Sequence, residues 1–383
     1  MFKSNFLNEI STRGFIYQAT DIEDLDTLMN QKNITAYIGF DITSDSLHIG
    51  SLVQLMLLHW LDYYDHKTIA LMGGGTTLVG DPSGKDEGRK ILLPQDIENN
   101  TLKIEKIFEK FINLKEKAKI MNNYEWLSDI NYINFLRDIG SRVTINKMLS
   151  FESVKNRLDR EQPLTFLEFN YMLLQAYDYY HLNKEYDCEL QLGGSDQWGN
   201  IVNGVELIKR YSSKQVFGLT TPLITLASGV KMGKTEKGAV WLDKKLLSSY
   251  EYWQFWRNTN DRDVLKFLKM FTDIKIEKIE EIKNKDINYL KIILANETTS
   301  MLHGKSSAKK AEQTAINTFE KGSIGEDLPS VNIRKEEVIN GINIVDLVIA
   351  SNLLTSKSEV RRMIQNKGIK INNQPIEDDK FKV

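Results

Sequence analysis

Two short segments far apart in the chain carry residue types that could act on phosphate. The first is His48-Ile49-Gly50, which opens a stretch with helical spacing of apolar residues. A helix start offers free N–H groups and the positive end of the helix dipole to an anion, and a glycine there lets a phosphate approach closely. A histidine in a first helical turn is also a common polar neighbour of a cap, so this segment alone leaves both interpretations open.

The second segment is Lys231-Met232-Gly233-Lys234-Thr235, which brings two ammonium groups onto a short loop. Such a pair can stabilise the charge that develops on a polyphosphate without covalent participation of the protein. A solvated basic turn is the alternative, and it would be favoured for an isolated pair of lysines. The presence of the histidine segment in the same chain favours the polyphosphate site.

Other phosphate-binding glycine loops do not fit the sequence. No G-x-G-x-x-G pattern occurs, and the segments 80–85 and 229–235 are each one residue short of a Walker loop. A Walker loop needs its full length to wrap backbone N–H groups around the phosphates. The sequence therefore excludes a P-loop NTPase.

The elements that must position these segments alternate short apolar runs with helical patterns. A strand, a helix and a second strand within about 40 residues form a βαβ unit, which is typical of a parallel sheet. The fold class predicted is α/β, with a Rossmann-like doubly wound parallel sheet. Strands are predicted at 35–40, 68–73, 118–123 and 188–194, and helices at 47–64 and 101–119.

The length of 383 residues predicts more than one domain. The sheet domain is predicted to carry a helical insert rich in large apolar residues, around Phe166, that could be either core or a subunit interface. The predicted divisions are a catalytic domain at 1–240 with the insert at about 124–180, an α-helical domain at 241–325, a linker at 326–337, and a small α+β domain at 338–383.

Composition limits the function classes. Fifty basic against 52 acidic residues give a formal charge of −2, which excludes a globally basic nucleic-acid coat but not a local basic patch. A single cysteine, Cys188, points to a reducing compartment. Neither a signal peptide nor an apolar stretch of membrane-spanning length is recognisable, so the protein is expected in the cytoplasm.

In combination, the motifs resemble a known family. HIGS and KMGKT resemble the HIGH and KMSKS signatures of class I aminoacyl-tRNA synthetases, with departures at Ser51, Gly233 and Thr235. YIGFDITSDSLHIG, GDPSGK, YMLLQAYD and QLGGSDQWGN, in that order and spacing, resemble the bacterial-type tyrosyl-tRNA synthetases over nearly the whole chain. The resemblance implies a homodimer that activates tyrosine with ATP and magnesium and transfers it to tRNA(Tyr). It implies no permanently bound cofactor and no protein metal site.

The resemblance also implies which residues form the site. Tyr37 and Asp178 would bind the phenol of tyrosine, and Asp81, Tyr171 and Gln175 its ammonium group. The spacing of Tyr171, Gln175 and Asp178 independently places them on one helical face. Residues implied around the tyrosine carboxylate and the nucleotide are Gly39, Asp41, Gly50, Gly194, Asp196, Gln197 and Met232. Residues implied in catalysis at the phosphates are Thr43, His48, Lys85, Arg89, Lys231, Lys234 and Thr235.

The C-terminal segment resembles an RNA-binding module shared with a small-subunit ribosomal protein. Its basic residues could form a phosphate-binding stripe or a solvated helix face, and its position in a tRNA ligase favours the first. The chain stops at Val383, where family members commonly continue, so the module is expected to be short or incomplete. The implied tRNA-binding residues are Lys209, Arg210, Lys357, Arg361, Arg362 and Lys367, with Lys370 in the same basic run.

Three rival functions are less consistent with the sequence. A nucleotidyltransferase with a similar histidine segment would lack the helical domain and the basic tail. A non-enzymatic RNA-binding protein would have no use for His48, Asp81, Lys231 and Lys234 together. A tryptophan-specific synthetase would not need Tyr37 and Asp178. Lys209 and Arg210 could equally complement the dipole at a helix end instead of binding an acceptor stem.

Overall fold

The protein is described here by a computed structural model. It describes residues 1–81, 92–226, 229, 232–235, 238–319, 331–335, 339, 341–351, 353–354, 356–372 and 374–383, with the backbone alone at 152–153, 234–235 and 319. The chain forms two compact units, Met1–Ala308 and Lys309–Val383. None of the helices in these ranges is long and apolar enough to cross a membrane.

A six-stranded sheet forms the centre of the first unit, in the order β1-β6-β5-β2-β3-β4. All neighbouring strands are parallel except β1, which runs antiparallel to β6. The strands are β1 (Gln18–Ala19), β2 (Thr35–Asp41), β3 (Lys67–Gly73), β4 (Lys119–Asn122), β5 (Cys188–Gly194) and β6 (Phe217–Thr221). The four predicted strands are thereby confirmed. The apolar runs of β2, β3 and β5 fit strands that are covered on both faces, whereas β4 is a partly exposed edge strand.

Helices surround this sheet and continue beyond it. Their bounds are α1 (Asn5–Thr12), α2 (Ile22–Gln31), α3 (Leu52–Tyr63), α4 (Gly74–Val79), α5 (Pro94–Phe108), α6 (Tyr124–Leu127), α7 (Tyr132–Asp138), α8 (Ile145–Leu149), α9 (Glu152–Asp159), α10 (Phe166–Tyr186), α11 (Trp198–Ser212), α12 (Ser249–Arg257), α13 (Asp261–Phe271), α14 (Ile276–Ile282), α15 (Ile287–His303) and α16 (Lys305–Phe319). A short hairpin pairs β7 (Lys234–Thr235) with β8 (Gly238–Ala239).

The helix predicted at 101–119 was misplaced. The structure has α5 at Pro94–Phe108, with proline in its first turn, where the missing N–H and the fixed φ of proline suit a helix start. Phe111 and Ile112 lie beyond the helix but are 3% and 4% exposed. Their apolar side chains continued the helical pattern because they pack onto the core from a turn.

The long helix α10 carries one wall of the candidate site. Thr165 and Glu168 form a reciprocal capping box at its start, which satisfies free N–H groups there. Tyr171, Met172 and Leu173 are buried, whereas Phe166 is 69% exposed. The sequence left this helix open between core and interface, and in the structure these three residues are core whereas Phe166 is not.

The helices α12 to α15 confirm the predicted change to helical structure after the sheet, and they belong to the first compact unit. Arg13 at the end of α1 is 2% exposed and donates to the backbone carbonyls of Lys269, Thr272 and Ile274. These bonds tie α1 to the end of α13 and the turn that follows it. The predicted division between two domains at residues 240 and 241 stays a prediction.

The second unit has its own small core. Its helices are α17 (Ile344–Ala350) and α18 (Lys357–Gln365), followed by the antiparallel pair β9 (Lys370–Ile371) and β10 (Gln374–Pro375). Ile344, Val345, Val348, Val360, Ile364 and Ile376 form the buried cluster between them. The predicted basic residues Lys357, Arg361 and Arg362 are exposed on α18, and Lys367 and Lys370 lie beyond its end.

Candidate active site

The candidate site is a cavity of about 510 Å³ at the carboxyl ends of β2 and β5. From β2 the chain continues to β3 and β4 on one side, and from β5 it continues to β6 on the other side. Open α/β sheets bind ligands in the crevice that such a reversal of direction leaves.

The cavity gathers residues that are far apart in the sequence. All the predicted tyrosine-binding residues line it, as do the predicted nucleotide-binding residues whose side chains are described. These lining residues are Tyr37, Gly39, Asp41, Thr43, His48, Gly50, Asp81, Tyr171, Gln175, Asp178, Gly194, Asp196, Gln197 and Met232. Lys85, Arg89 and Lys231 lie outside the described residues, and Lys234 and Thr235 are described only as the backbone of β7.

Asp178 on α10 is the buried acid of the cavity, with 2% exposure. Its Oδ1 accepts a hydrogen bond from Trp126 Nε1 at 2.7 Å, and its Oδ2 accepts one from Asn123 Nδ2 at 2.8 Å. Burial raises the pKa of the Asp178 carboxyl to about 7, and the two hydrogen bonds oppose that rise. Both oxygens are fixed in place, and each still has a lone pair for a further donor.

Tyr37 on β2 lies beside this acid. Its side chain is 1% exposed, and its hydroxyl has no hydrogen-bond partner among the described residues. Burial, followed by the charge of Asp178, raises the pKa of Tyr37 well above its usual range, so the phenol stays protonated. A buried hydroxyl without a partner is costly, and in a cavity wall it suits a ligand that can pair with it.

The next part of the wall is anionic and amide-rich. Gln197 Nε2 donates to Asp81 Oδ2 at 2.9 Å, and Tyr171 Oη donates to Asp41 Oδ1 at 3.4 Å. Gln175, one helical turn beyond Tyr171, has a buried Oε1 with no partner among the described residues. Carboxylates, a phenol and an amide oxygen facing one cavity provide acceptors for an ammonium group.

At the other end of the cavity, His48 caps the turn that leads into α3. Its Nδ1 accepts from the backbone N–H of Gly50 at 3.0 Å, which assigns the ring proton to Nε2. A Cβ atom on Gly50 would lie 2.7 Å from the His48 ring and 3.1 Å from the carbonyl oxygen of Met232. Glycine is therefore required where the histidine segment and the lysine segment approach each other.

The predicted tRNA-binding residues are divided between α11 and the second unit. Lys209 and Arg210 are in the last turn of α11 and are exposed, and Arg210 pairs with Glu206 at 3.6 Å. In the second unit, three of the basic side chains are paired with carboxylates of the same unit. These surface pairs are Lys357–Asp346 at 2.7 Å, Arg361–Asp379 at 3.2 Å and Lys367–Glu377 at 2.7 Å. Arg362 is exposed.

Sequence reasoning missed the two residues that hold Asp178. Asn123 is itself held by α4, because its Oδ1 accepts a hydrogen bond from the backbone N–H of Gly75 at 2.8 Å. It directly follows β4, a parallel strand, and the carboxyl ends of parallel strands meet at one edge of a sheet. That position was a usable signal for Asn123, whereas the contact of Trp126 with Asp178 bridges a long sequence separation and had no signal.

Comparisons with known proteins agree with this geometry. The family described as tRNA synthetases class I (W and Y) matches residues 29–320. The tyrosine–tRNA ligase SYY-like C-terminal domain matches residues 319–383. The tyrosine–tRNA ligase of Pelagibacter ubique is 60% identical over 99% of this chain and 93% of its own. That of Brucella abortus is 49% identical over 100% of this chain and 93% of its own.

Solved structures of tRNA synthetases are similar to this chain as well. A C-terminally truncated mitochondrial tyrosyl-tRNA synthetase of Aspergillus nidulans superposes with a TM-score of 0.74 at 30% identity, covering 82% of this chain and 94% of that one. A tryptophanyl-tRNA synthetase of Encephalitozoon cuniculi superposes with a TM-score of 0.61 at 13% identity, over 81% and 91% of the two chains. The second likeness concerns the fold alone.

Proposed function

The chain belongs to the class I tRNA synthetases and, within them, to the tyrosine–tRNA ligases, and we propose that the cavity between β2 and β5 is where it activates tyrosine. The overall reaction joins tyrosine to tRNA with consumption of ATP. The observation that carries the proposal is the buried pair at the closed end of the cavity. A fixed carboxylate, Asp178, stands beside an unpartnered hydroxyl, Tyr37.

A phenol matches this pair atom for atom. The substrate O–H donates to Asp178, and the substrate oxygen accepts from the Tyr37 hydroxyl. A third donor on Asp178 favours its ionised form, which burial disfavours in the free protein. Phenylalanine would leave the Tyr37 hydroxyl without a partner and Asp178 without its third donor, which is the kind of rejection for which tyrosyl-tRNA synthetases are themselves the established example.

The remaining substrate groups follow from the cavity wall. The ammonium group of tyrosine binds Asp81, Tyr171 and Gln175. Gln197 holds Asp81 through a hydrogen bond of 2.9 Å and lies near the carboxylate. Gly39, Asp41, Gly194 and Asp196 bind the ribose and the α-phosphate, at strand ends where the backbone can approach a ligand closely.

The first half-reaction needs no protein nucleophile. A carboxylate oxygen of tyrosine attacks the α-phosphorus of ATP, the bond to the bridging oxygen of the β-phosphate breaks, and magnesium pyrophosphate leaves. The protein positions the reactants and stabilises the charge that develops. Thr43, His48 and the segments with Lys85, Arg89, Lys231 and Lys234 are assigned to that role, with Thr235 and Met232 as neighbours in the same loop. A ribose hydroxyl of the terminal adenosine of tRNA then takes the tyrosyl group and releases AMP.

The helical insert is assigned to a homodimer interface. Large apolar side chains on its helices are exposed, and concentrations of such side chains mark interaction surfaces. They include Tyr132 (57%), Ile133 (67%), Ile145 (60%) and Phe166 (69%). Phe166→Asp should shift the mass in sedimentation from dimer towards monomer, whereas the control Tyr289→Asp, at a side chain 51% exposed on α15, should not.

The second unit and the end of α11 are assigned to tRNA. Phosphates can displace the surface carboxylates that pair with Lys357, Arg361 and Lys367, because exposed ion pairs contribute little. Deleting the chain after residue 330 should leave tyrosine activation intact and reduce tRNA charging. The deletion should also flatten the salt dependence of tRNA binding, and equal salt slopes for the two forms would remove this assignment.

Amino-acid-dependent exchange of pyrophosphate into ATP tests the central proposal. Tyrosine should support exchange, while phenylalanine and tryptophan at the same concentration should support little. Exchange that is as fast with tryptophan as with tyrosine would contradict the assignment of the Tyr37 and Asp178 pair.

A further inference from the structure

The strand that leaves the lysine loop fixes the backbone on both sides of His48. Trp241 forms an antiparallel bridge with His48. The N–H of Ile49 donates to the carbonyl of Val240 at 2.8 Å, and the N–H of Leu242 donates to the carbonyl of Leu47 at 2.9 Å. The histidine is thus bracketed by two backbone hydrogen bonds to the segment that continues from β8.

The outer end of this segment is anchored by a histidine far along the chain. Nε2 of His303, the last residue of α15, lies 3.1 Å from the carbonyl oxygen of Leu242. Leu242 itself is 0% exposed, so its carbonyl group has little access to water as an alternative partner. The contact spans 61 residues and joins a helix after the sheet domain to the strand beside His48.

His303 makes this contact as a neutral imidazole. Burial lowers the pKa of His303 to about 4, Lys110 and Lys244 act in the same direction, and the Leu242 carbonyl and Asp243 oppose it. A carbonyl oxygen can only accept, so Nε2 must carry the proton and Nδ1 the lone pair. The buried Nδ1 has no partner among the described residues, and neither do the Tyr252 hydroxyl and the Thr299 hydroxyl.

Burying these unpaired polar atoms costs folding free energy. The hydrogen bond from His303 to Leu242 is what the histidine provides in return. Thr299 is one turn before His303 on α15, and the Tyr252 ring centroid lies 5.1 Å from that of His303. An apolar side chain in place of the histidine would remove the unpaired nitrogen from this pocket. What the imidazole supplies beyond an apolar group is the N–H that holds Leu242.

We propose that His303 is a positioning residue for adenylate formation, which holds the 240–242 segment through the Leu242 carbonyl and thereby keeps His48 at the phosphates of ATP. The inference rests on the proposed role of His48. It makes the helical region a support for the nucleotide end of the cavity, and it assigns no role to His303 at the tyrosine end.

Two polar isosteres test this role. The amide nitrogen of glutamine reaches the position of Nε2, whereas that of asparagine corresponds to Nδ1. His303→Asn should lower kcat of ATP–pyrophosphate exchange about three- to tenfold, as expected for loss of one neutral hydrogen bond. His303→Gln should restore the rate to within about twofold of wild type, and the Kd of tyrosine should be the same in all three proteins. Tyr252→Phe is the control in the same pocket and should leave the exchange rate unchanged.

A double-mutant cycle separates this inference from the proposed function. If His303 acts through His48, His303→Asn should cost little further rate in a His48→Gly background. Equal costs in both backgrounds, equal rates for the asparagine and glutamine variants, or a matching loss of tyrosine affinity would each overturn the inference while leaving His48 at the phosphates. If His48→Gly alone leaves exchange unchanged, the assignment of His48 fails and this inference fails with it.

Discussion

The two ends of the cavity are built from different kinds of contact. At the end proposed to bind tyrosine, here called the tyrosine end, side chains on a long helix are fixed by other side chains, as Asp178 is by Asn123 and Trp126. At the end proposed to bind the nucleotide, backbone segments meet, with His48 beside the strand at 240–242 and Gly50 beside the carbonyl of Met232. The first arrangement leaves specific polar atoms unpaired, whereas in the second the N–H groups of Ile49 and Gly50 are already bonded to the Val240 carbonyl and the His48 ring.

Under the proposed function, this difference separates substrate selection from catalysis within one cavity. Rejection of a substrate that lacks one hydroxyl requires buried groups that cannot find another partner, and burial is nearly complete at Tyr37 and Asp178. Stabilisation of charge on a leaving polyphosphate requires cations and close backbone approach. Damage at the two ends should therefore appear in different measurements, and the following predictions separate them.

The largest effect is expected at the nucleotide end. Lys234→Ala removes one cation from the developing pyrophosphate and should slow adenylate formation by about 10²–10³, as for other single electrostatic donors at a transition state. The Kd of tyrosine should be nearly unchanged, because the proposed function assigns Lys234 to the other end. Single-turnover adenylate formation and equilibrium dialysis measure the two quantities.

Lys245→Ala is the matched control, since Lys245 is an exposed lysine shortly after the same loop. It should leave both quantities at the wild-type value. A loss of tyrosine affinity in Lys234→Ala that equals the loss of rate would mean that the two ends are not separable.

At the tyrosine end, the larger effect is expected for Asp178→Asn. The carboxylate is a stronger acceptor than an amide, and a hydrogen bond to a charged group is worth about 1.5–3 kcal/mol. The variant should therefore lose about 10- to 100-fold in kcat/KM for tyrosine in pyrophosphate exchange. The KM of ATP should stay near the wild-type value, and a selective rise in that KM would place Asp178 at the wrong end.

The sheet and its ligand-binding edge could be predicted because their signals are local. Apolar runs such as Thr35–Asp41 mark buried strands, and the polar residues directly after them mark the edge. Tyr171, Gln175 and Asp178 were assigned to one face from spacing alone, and all three line the cavity. Local patterns were sufficient wherever one element supplied the whole signal.

Sequence-based predictions failed where the environment of a residue is set by contacts with a distant part of the chain. Phe111 fitted the helical pattern of apolar residues, but it packs onto the core from a turn. Trp126 could not be assigned because its indole N–H serves a carboxylate 52 residues away. The anchor of Leu242 by His303 has the same character, since neither residue carries a local motif.

The pH dependence of the free energy of unfolding also distinguishes the two ends of the cavity. The raised pKa of Asp178 affects only the tyrosine end. The folded protein keeps this proton up to about pH 7, whereas an unfolded aspartate loses it at about 3.9. Between these values the folded state binds more protons, so the contribution of Asp178 to stability is full at low pH and falls as the pH rises. The fall is at most about 1.4 kcal/mol per pH unit.

Denaturant unfolding of wild type and Asp178→Asn at pH 5, 6 and 7 measures this contribution. The free energy of unfolding of wild type should decline relative to that of the variant as the pH rises through this range. Parallel pH profiles for the two proteins would show that the carboxyl is already ionised at pH 5, and the tyrosine end would then lack its buried neutral acid.

The smallest effect is expected for Tyr37→Phe, which tests how finely the tyrosine end selects. The hydroxyl has no partner among the described residues, so its removal should cost the free protein little. It should cost tyrosine one neutral hydrogen bond, about 0.5–1.5 kcal/mol in kcat/KM, and phenylalanine almost nothing, so the discrimination ratio should fall.

Tyr179→Phe is the control, because its hydroxyl donates to the carbonyl of Phe217 at 2.8 Å and its ring lies 5.4 Å from that of Tyr37. Tyr179→Phe should lower Tm and leave the discrimination ratio unchanged. The Tyr179 hydroxyl stabilises the fold, and Tyr179 does not line the cavity. If the two variants change the ratio equally, discrimination depends on packing around the phenol, and the unpaired hydroxyl of Tyr37 is not what selects tyrosine.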